Sequence, residues 1–91
     1  MVKVIKINYT KTALKAMQNY EAKLREHIRE KIKGLTQTPP VGDIKSMQGY
    51  SDGRLRLRVG KYRIVYKYKV ENNIKSLYII EIDSRGDIYK K

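Results

Sequence analysis

The sequence predicts an α+β fold of order β-α-α-β-β-β, with a helical hairpin packed on one face of a largely antiparallel four-stranded sheet. Three observations carry this expectation. Arg54-Leu55-Arg56-Leu57-Arg58-Val59 alternates strictly between charged and apolar residues, the signature of a half-buried strand. Gly60-Lys61 then forms a two-residue hairpin loop of the Gly-X type, and Tyr62 to Val70 returns as the partner strand. Upstream, Leu24, Ile28, Ile32 and Leu35 recur at spacings of four, four and three, one apolar stripe on an amphipathic helix.

Taken in order, Val2 to Tyr9 mixes β-branched and charged residues and reads as the first strand. Thr10 has the chemistry of an N-cap, and Ala13, Leu14, Met17 and Tyr20 follow at helical spacing. Asn19 to Glu21 reads as a kink or short turn. The second helix runs from Glu21 to Leu35; Gly34 helps to end it and Thr38-Pro39-Pro40 forbids its continuation. His27, beside the stripe among Arg25, Glu26, Arg29 and Glu30, reads as a solvated helix position. Val41 to Gly49 is irregular, with room for a short strand around Ile44 to Met47. Tyr50-Ser51-Asp52-Gly53 is a turn. Glu71-Asn72-Asn73 makes another, before a largely apolar strand from Ile74 to Ile82 that suits a central place in the sheet. Asp83-Ser84-Arg85-Gly86 is expected to leave the sheet.

Residues 1–91 are expected to form one domain, too small to enclose both a core and a deep cofactor cavity. The absence of cysteine excludes disulfides and thiolate metal sites and fits a reducing cytoplasm. No apolar run reaches membrane-spanning length, and no signal-peptide pattern opens the chain. The formal charge is +12. Residues 1–33 hold nine Lys/Arg against three Glu, and residues 54–91 hold eleven against four acids, so the charge belongs to both ordered halves. Such a charge costs self-repulsion in a compact chain, and a polyanionic partner is its usual reason.

Pairing across Gly60-Lys61 sets Val59 opposite Tyr62, Arg58 opposite Arg63 and Arg56 opposite Val65. Arg54, Arg56, Arg58, Arg63, Val65, Lys67 and Lys69 then share one face. Leu55, Leu57, Val59, Tyr62, Ile64, Tyr66 and Tyr68 take the face that meets the helices. Arg58 against Arg63 is a like-charge cross-strand pair, which disfavours the sheet unless an anion neutralises it. Guanidinium groups match phosphate bidentately, so this face is expected to bind phosphate. The competing account is a solvated strand face balanced by Glu81 or Asp83.

The stretch Arg54 to Tyr66, with its Gly60-Lys61-Tyr62-Arg63-Ile64-Val65-Tyr66 core, resembles the central hairpin of RelE-type toxins of the RelE/ParE superfamily. The ending Arg85-Gly86-Asp87-Ile88-Tyr89 is similar to that family's closing Arg-x-x-hydrophobic-Tyr. The Pro-Pro loop, the Met47-Gln48-Gly49 approach and the helical hairpin also sit where the family has theirs. The resemblance implies a RelE-like fold and the toxin of a type II toxin–antitoxin system, neutralised by a cognate antitoxin. It also implies a ribosome-dependent endoribonuclease that cuts mRNA in the A site by attack of a 2′-hydroxyl on the adjacent phosphate. Neither metal nor other cofactor is implied, and no membrane.

On that resemblance Arg54 and Arg56 match basic strand positions that bind RNA phosphates and stabilise charge. Arg63 matches the arginine of the transition state, Arg85 the one linked to the leaving group, and Tyr89 a general base or stacking platform. The catalytic set is then Arg56, Arg63, Arg85 and Tyr89, with Arg54, Arg58, Lys67 and Lys69 binding RNA. The chain departs from the pattern in carrying arginine where relatives often have lysine, and arginine cannot act as an ordinary base. Ser84 stands where some members have histidine, and Asp43 is a loose match to a glutamate that others use. Two rival functions stand beside this one: a ParE-like inhibitor of DNA gyrase, and an RNA-binding module without chemistry. The ParE branch shares the fold but generally lacks the full basic set and the closing tyrosine, so Arg56, Arg63, Arg85 and Tyr89 together favour the nuclease.

Overall fold

The computed structural model describes residues 4–84. Strand β1 (Val4–Tyr9) leads into helices α1 (Lys11–Gln18) and α2 (Ala22–Lys33), and a 3₁₀ turn at Gly34–Thr36 ends the helical part. Strands β2 (Asp43–Ser46), β3 (Leu55–Val59), β4 (Tyr62–Glu71) and β5 (Ile74–Ser84) follow. The sheet order is β1-β5-β4-β3-β2, with β1 parallel to β5 and every other pair antiparallel. The α+β architecture and the helical hairpin are as the sequence predicts, on five strands rather than four. The added strand is β2, whose only half-buried residue is Ile44, set opposite Leu57. It falls within one residue of the short strand for which the sequence left room around Ile44 to Met47, although one apolar side chain in four residues gives too little alternation to place it in the sheet.

The helices cover one face of the sheet. Ala13 and Met17 of α1, and Ile28, Ile32 and Leu35 of the predicted stripe, are buried against Leu57, Val59, Ile64, Tyr66, Leu77, Ile79 and Ile82. Leu14 is 47% exposed, so the apolar face of α1 is narrower than its spacing implied. His27 is exposed, as expected of a solvated position. Within the 3₁₀ turn the carbonyl of Leu35 accepts from the Tyr68 hydroxyl at 2.7 Å, which ties β4 to the helical layer. Among the described residues, no helix is long and apolar enough to cross a membrane.

Thr10 caps α1 by accepting from the Ala13 amide at 3.1 Å. Its hydroxyl donates to the Ile80 carbonyl at 2.6 Å, and its backbone N–H to that of Ile79 at 3.0 Å. Those two carbonyls lie where β5 carries an extra residue: Val65 pairs with Glu81 and Tyr66 with Ile79. The irregularity keeps both Ile79 and Ile82 on the core face, three residues apart, where strict alternation would expose one of them. β5 also runs on through Asp83 and Ser84, opposite Arg63 and Tyr62, which corrects the expectation that these residues leave the sheet.

The turns obey local chemistry. Gly60 adopts φ +60°, as the first position of a Gly-X hairpin loop requires, and both Asn72 and Asn73 are left-handed. Gly42, at φ +143°, leaves room for Leu57, whose Cδ1 would lie 2.6 Å from a Cβ there.

Candidate nucleic-acid interface

The hairpin register is the predicted one: Val59 faces Tyr62, Arg58 faces Arg63 and Arg56 faces Val65. Arg56, Arg58 and Arg63 therefore share the sheet face away from the helices. Arg54 stands just before β3 on the same side, because Asp52 Oδ2 lies 3.0 Å from its Nε and 3.5 Å from Lys67 Nζ. Lys67 and Lys69 continue along β4. Arg85 and Tyr89 lie outside the described residues.

Across the sheet, one row reads Asp43-Arg58-Arg63-Asp83 from β2 to β5. The two arginines sit together and a carboxylate flanks each of them. Arg63 Nη2 donates to Asp83 Oδ2 at 3.1 Å. Asp43 stands 3.9 Å from Arg58 Nε and 4.0 Å from Arg56 Nη2, beyond hydrogen-bond reach of either. The like-charge pair is thus offset within the protein, and the Asp83 foreseen as a balancing charge is one of the groups responsible. Asp43 and Asp52 were not foreseen as balancing charges. They come from β2 and the loop before β3, and no local period links either to the hairpin.

This internal balance is incomplete. Arg56 Nε and Nη2, Arg58 Nε and Arg63 Nε are shielded from solvent yet have no hydrogen-bond partner among the described residues. Val65, on the same face between Arg56 and Glu81 in register, is 2% exposed, so long neighbouring side chains screen the centre of this surface. Unpaired guanidinium donors in partly screened surroundings are costly until an anion accepts from them. Asp52 responds to the same field: the hydrogen bond from Arg54, with further attraction from Arg54 and Lys67, holds its carboxyl below the usual carboxylate range. The guanidinium of Arg54 also lies 4.5 Å from the ring of Tyr50, an exposed aromatic at the margin of the cluster.

Tyr62 and Tyr66 fall on the core face, as predicted. Tyr62 packs on Tyr20 with ring centroids 5.2 Å apart, and Tyr66 is fully buried. Burial pushes the Tyr66 hydroxyl well above its ordinary pKa, and that hydroxyl has no partner among the described residues. Among the described residues, no group of three or more His, Asp or Glu is placed to hold a metal ion.

Comparison with known proteins agrees with this architecture. The chain resembles a chain of the RelB–RelE antitoxin–toxin complex of Methanococcus jannaschii, with 25% identity over 90% of this chain and 94% of that one and a TM-score of 0.65. The archaeal RelE–RelB complex of Pyrococcus horikoshii supplies a similar chain at 24% identity, covering 94% and 98%, with a TM-score of 0.68. The YoeB/ParE toxin of Agrobacterium tumefaciens shares the fold with a TM-score of 0.74 at 21% identity, over 88% and 98%. No curated protein matches the chain. A family model described as the ParE toxin of the type II toxin–antitoxin system parDE matches residues 7–89, and the chain therefore belongs to that family of the RelE/ParE superfamily.

Proposed function

We propose that this toxin-family protein is a ribosome-dependent endoribonuclease that cuts mRNA in the A site without a metal. The observation that carries the reading is the set of guanidinium groups on one sheet face whose inner donors lack partners. Attack of a ribose 2′-hydroxyl on the neighbouring phosphate places growing negative charge on the phosphorane oxygens. Fixed guanidinium donors stabilise that charge more than they stabilise the ground state. In this reading Arg56 and Arg63 meet the phosphorane, while Arg54, Arg58, Lys67 and Lys69 hold flanking phosphates. Arg85 assists the leaving oxygen and Tyr89 accepts the proton or stacks on a base, both by resemblance. The ribosome supplies the in-line geometry. The partners are then mRNA, the ribosome and, as in the RelB–RelE complexes, a cognate antitoxin, all met in the cytoplasm.

The matching family model bears the ParE description, which favours a second reading as a poison of DNA gyrase. The two part on the product. A nuclease of this mechanism added to a translating extract leaves mRNA fragments ending in 2′,3′-cyclic phosphate, detectable by end-specific ligation. Intact mRNA in an extract whose protein synthesis continues would overturn the nuclease.

A further inference from the structure

Beyond the arginine cluster, beside Lys67 and Lys69, the same sheet face carries aromatic and polar side chains that the proposed chemistry leaves unused. The rows continue Lys67-Tyr78-Asn8 and Lys69-Ser76-Lys6 across β4, β5 and β1. Tyr78, Asn8, Ser76 and Lys6 line a cleft of about 330 Å³ together with Glu71, Asn72 and Ile74. That volume lies in the range of small-molecule sites and suits one planar base. Tyr78, Asn8 and Ser76 are half-buried, and none of their side chains makes a hydrogen bond among the described residues. The Lys69 ammonium stands 5.9 Å from the Tyr78 ring, at the outer range of a cation–π contact. Glu71 pairs with Lys69 at 3.8 Å, but both are strongly exposed, so the pair is weak and yields to a phosphate.

We infer that this cleft is a nucleotide subsite for single-stranded RNA, in which Tyr78 stacks on a base and Asn8 and Ser76 meet its polar edge. Lys6 and Lys69 hold the flanking phosphates. The inference rests on the RNA reading above and deepens it. Its support is continuity: Lys67 joins Arg54 through Asp52 at one end and faces Tyr78 in register at the other. Successive same-face cations on β4 lie about 6.8 Å apart along the strand, a step that an extended strand of phosphates can follow. An aromatic ring beside a cationic track is the usual construction of a single-strand site.

Binding of a labelled RNA hexamer, compared with a hexamer of the same backbone lacking bases, isolates the stacking from the charge. The wild type is expected to prefer the hexamer with bases by about 5–150-fold, the range that one stacked base supplies. Tyr78→Ala should collapse the ratio towards one and Tyr78→Phe should keep it. Arg63→Ala should weaken both oligomers and leave the ratio. Asn8→Asp, which keeps the shape and adds a negative charge to the cleft, should weaken the hexamer with bases, and it serves if Tyr78→Ala fails to fold. A wild type that binds neither oligomer or shows no preference, a ratio that Tyr78→Ala leaves intact, or an Asn8→Asp protein that binds like the wild type overturns the subsite. The proposed cleavage is judged separately, by the cyclic-phosphate ends.

Discussion

Arg56 and Arg63 lie on the same face but differ in how they are held. Arg63 spends one amino group on Asp83, whereas Arg56 has only a 4.0 Å approach to Asp43. Neither belongs to the buried core, so truncation leaves no apolar cavity. Arg56→Ala and Arg63→Ala should each lower cleavage by about 10²–10³-fold, the usual loss for one fixed donor to a developing oxyanion. Urea midpoints should change little, because partly exposed ion pairs contribute at most about 1 kcal/mol. Cleavage at the wild-type rate in either protein would remove these side chains from the chemistry.

Tyr66 makes the opposite prediction. Its hydroxyl is buried and unpaired among the described residues, and burial raises its pKa above the ordinary 10.0. Above pH 10 the unfolded chain loses this proton while the folded chain keeps it, so stability falls as pH rises, and the contribution is whole below that pH. Tyr66→Phe should lessen this alkaline decline, to which Tyr9 and Tyr68 also contribute, and stabilise the neutral protein by about 1 kcal/mol. Urea titrations at neutral pH and above pH 10 measure both effects, and a destabilised Tyr66→Phe protein would reveal a partner for the hydroxyl.

At the scale of elements, Thr10 joins three things: the start of α1, the end of β1 and the bulged carbonyl of β5. Thr10→Ala should cost about 1–2 kcal/mol, the combined loss of a helix cap and of the donor to a half-buried carbonyl, while Thr10→Ser should keep most of the stability. Chemical denaturation with an unchanged slope is the check. The capping role was legible, because a threonine before a helical period is a local signal. The bond to Ile80 was not, since it spans seventy residues of chain. The same division holds across the fold. The β3–β4 hairpin could be read residue by residue because a period of two and a Gly-X turn fix its register. The parallel pairing of β1 with β5 has no turn to announce it, and with it went the cleft around Tyr78 and Asn8. The arginine face was legible through the hairpin, and Asp83 was foreseen as a balancing charge, but Asp43 and Asp52 reach the face from β2 and a loop. Arg85 and Tyr89 were readable only through resemblance.

For the whole molecule, the charge of +12 is not confined to the arginine face. Lys11, Lys15, Lys23, Arg29, Lys31 and Lys33 are exposed on the helices that cover the other side of the sheet. A ligand bound to the hairpin alone leaves that second set of cations unneutralised. A large polyanion that surrounds the protein meets both, which supports the ribosome over a free RNA strand as the setting for the proposed reaction. The fold accommodates this by using one sheet face for its core and leaving the other to charge, with the helices basic on their outer side.

The proposed cleavage of ribosome-bound mRNA by the arginine face can be tested by primer extension. The template is mRNA recovered from ribosomes programmed with a defined A-site codon and treated with the purified protein or its Arg63→Ala variant. A gyrase supercoiling reaction is run on the same preparations. The expected result is a cut within the A-site codon for the wild type, a cut about 10²–10³-fold slower for Arg63→Ala, and unimpaired supercoiling with both. Full-length mRNA together with blocked supercoiling would contradict it and assign the protein to gyrase poisoning instead.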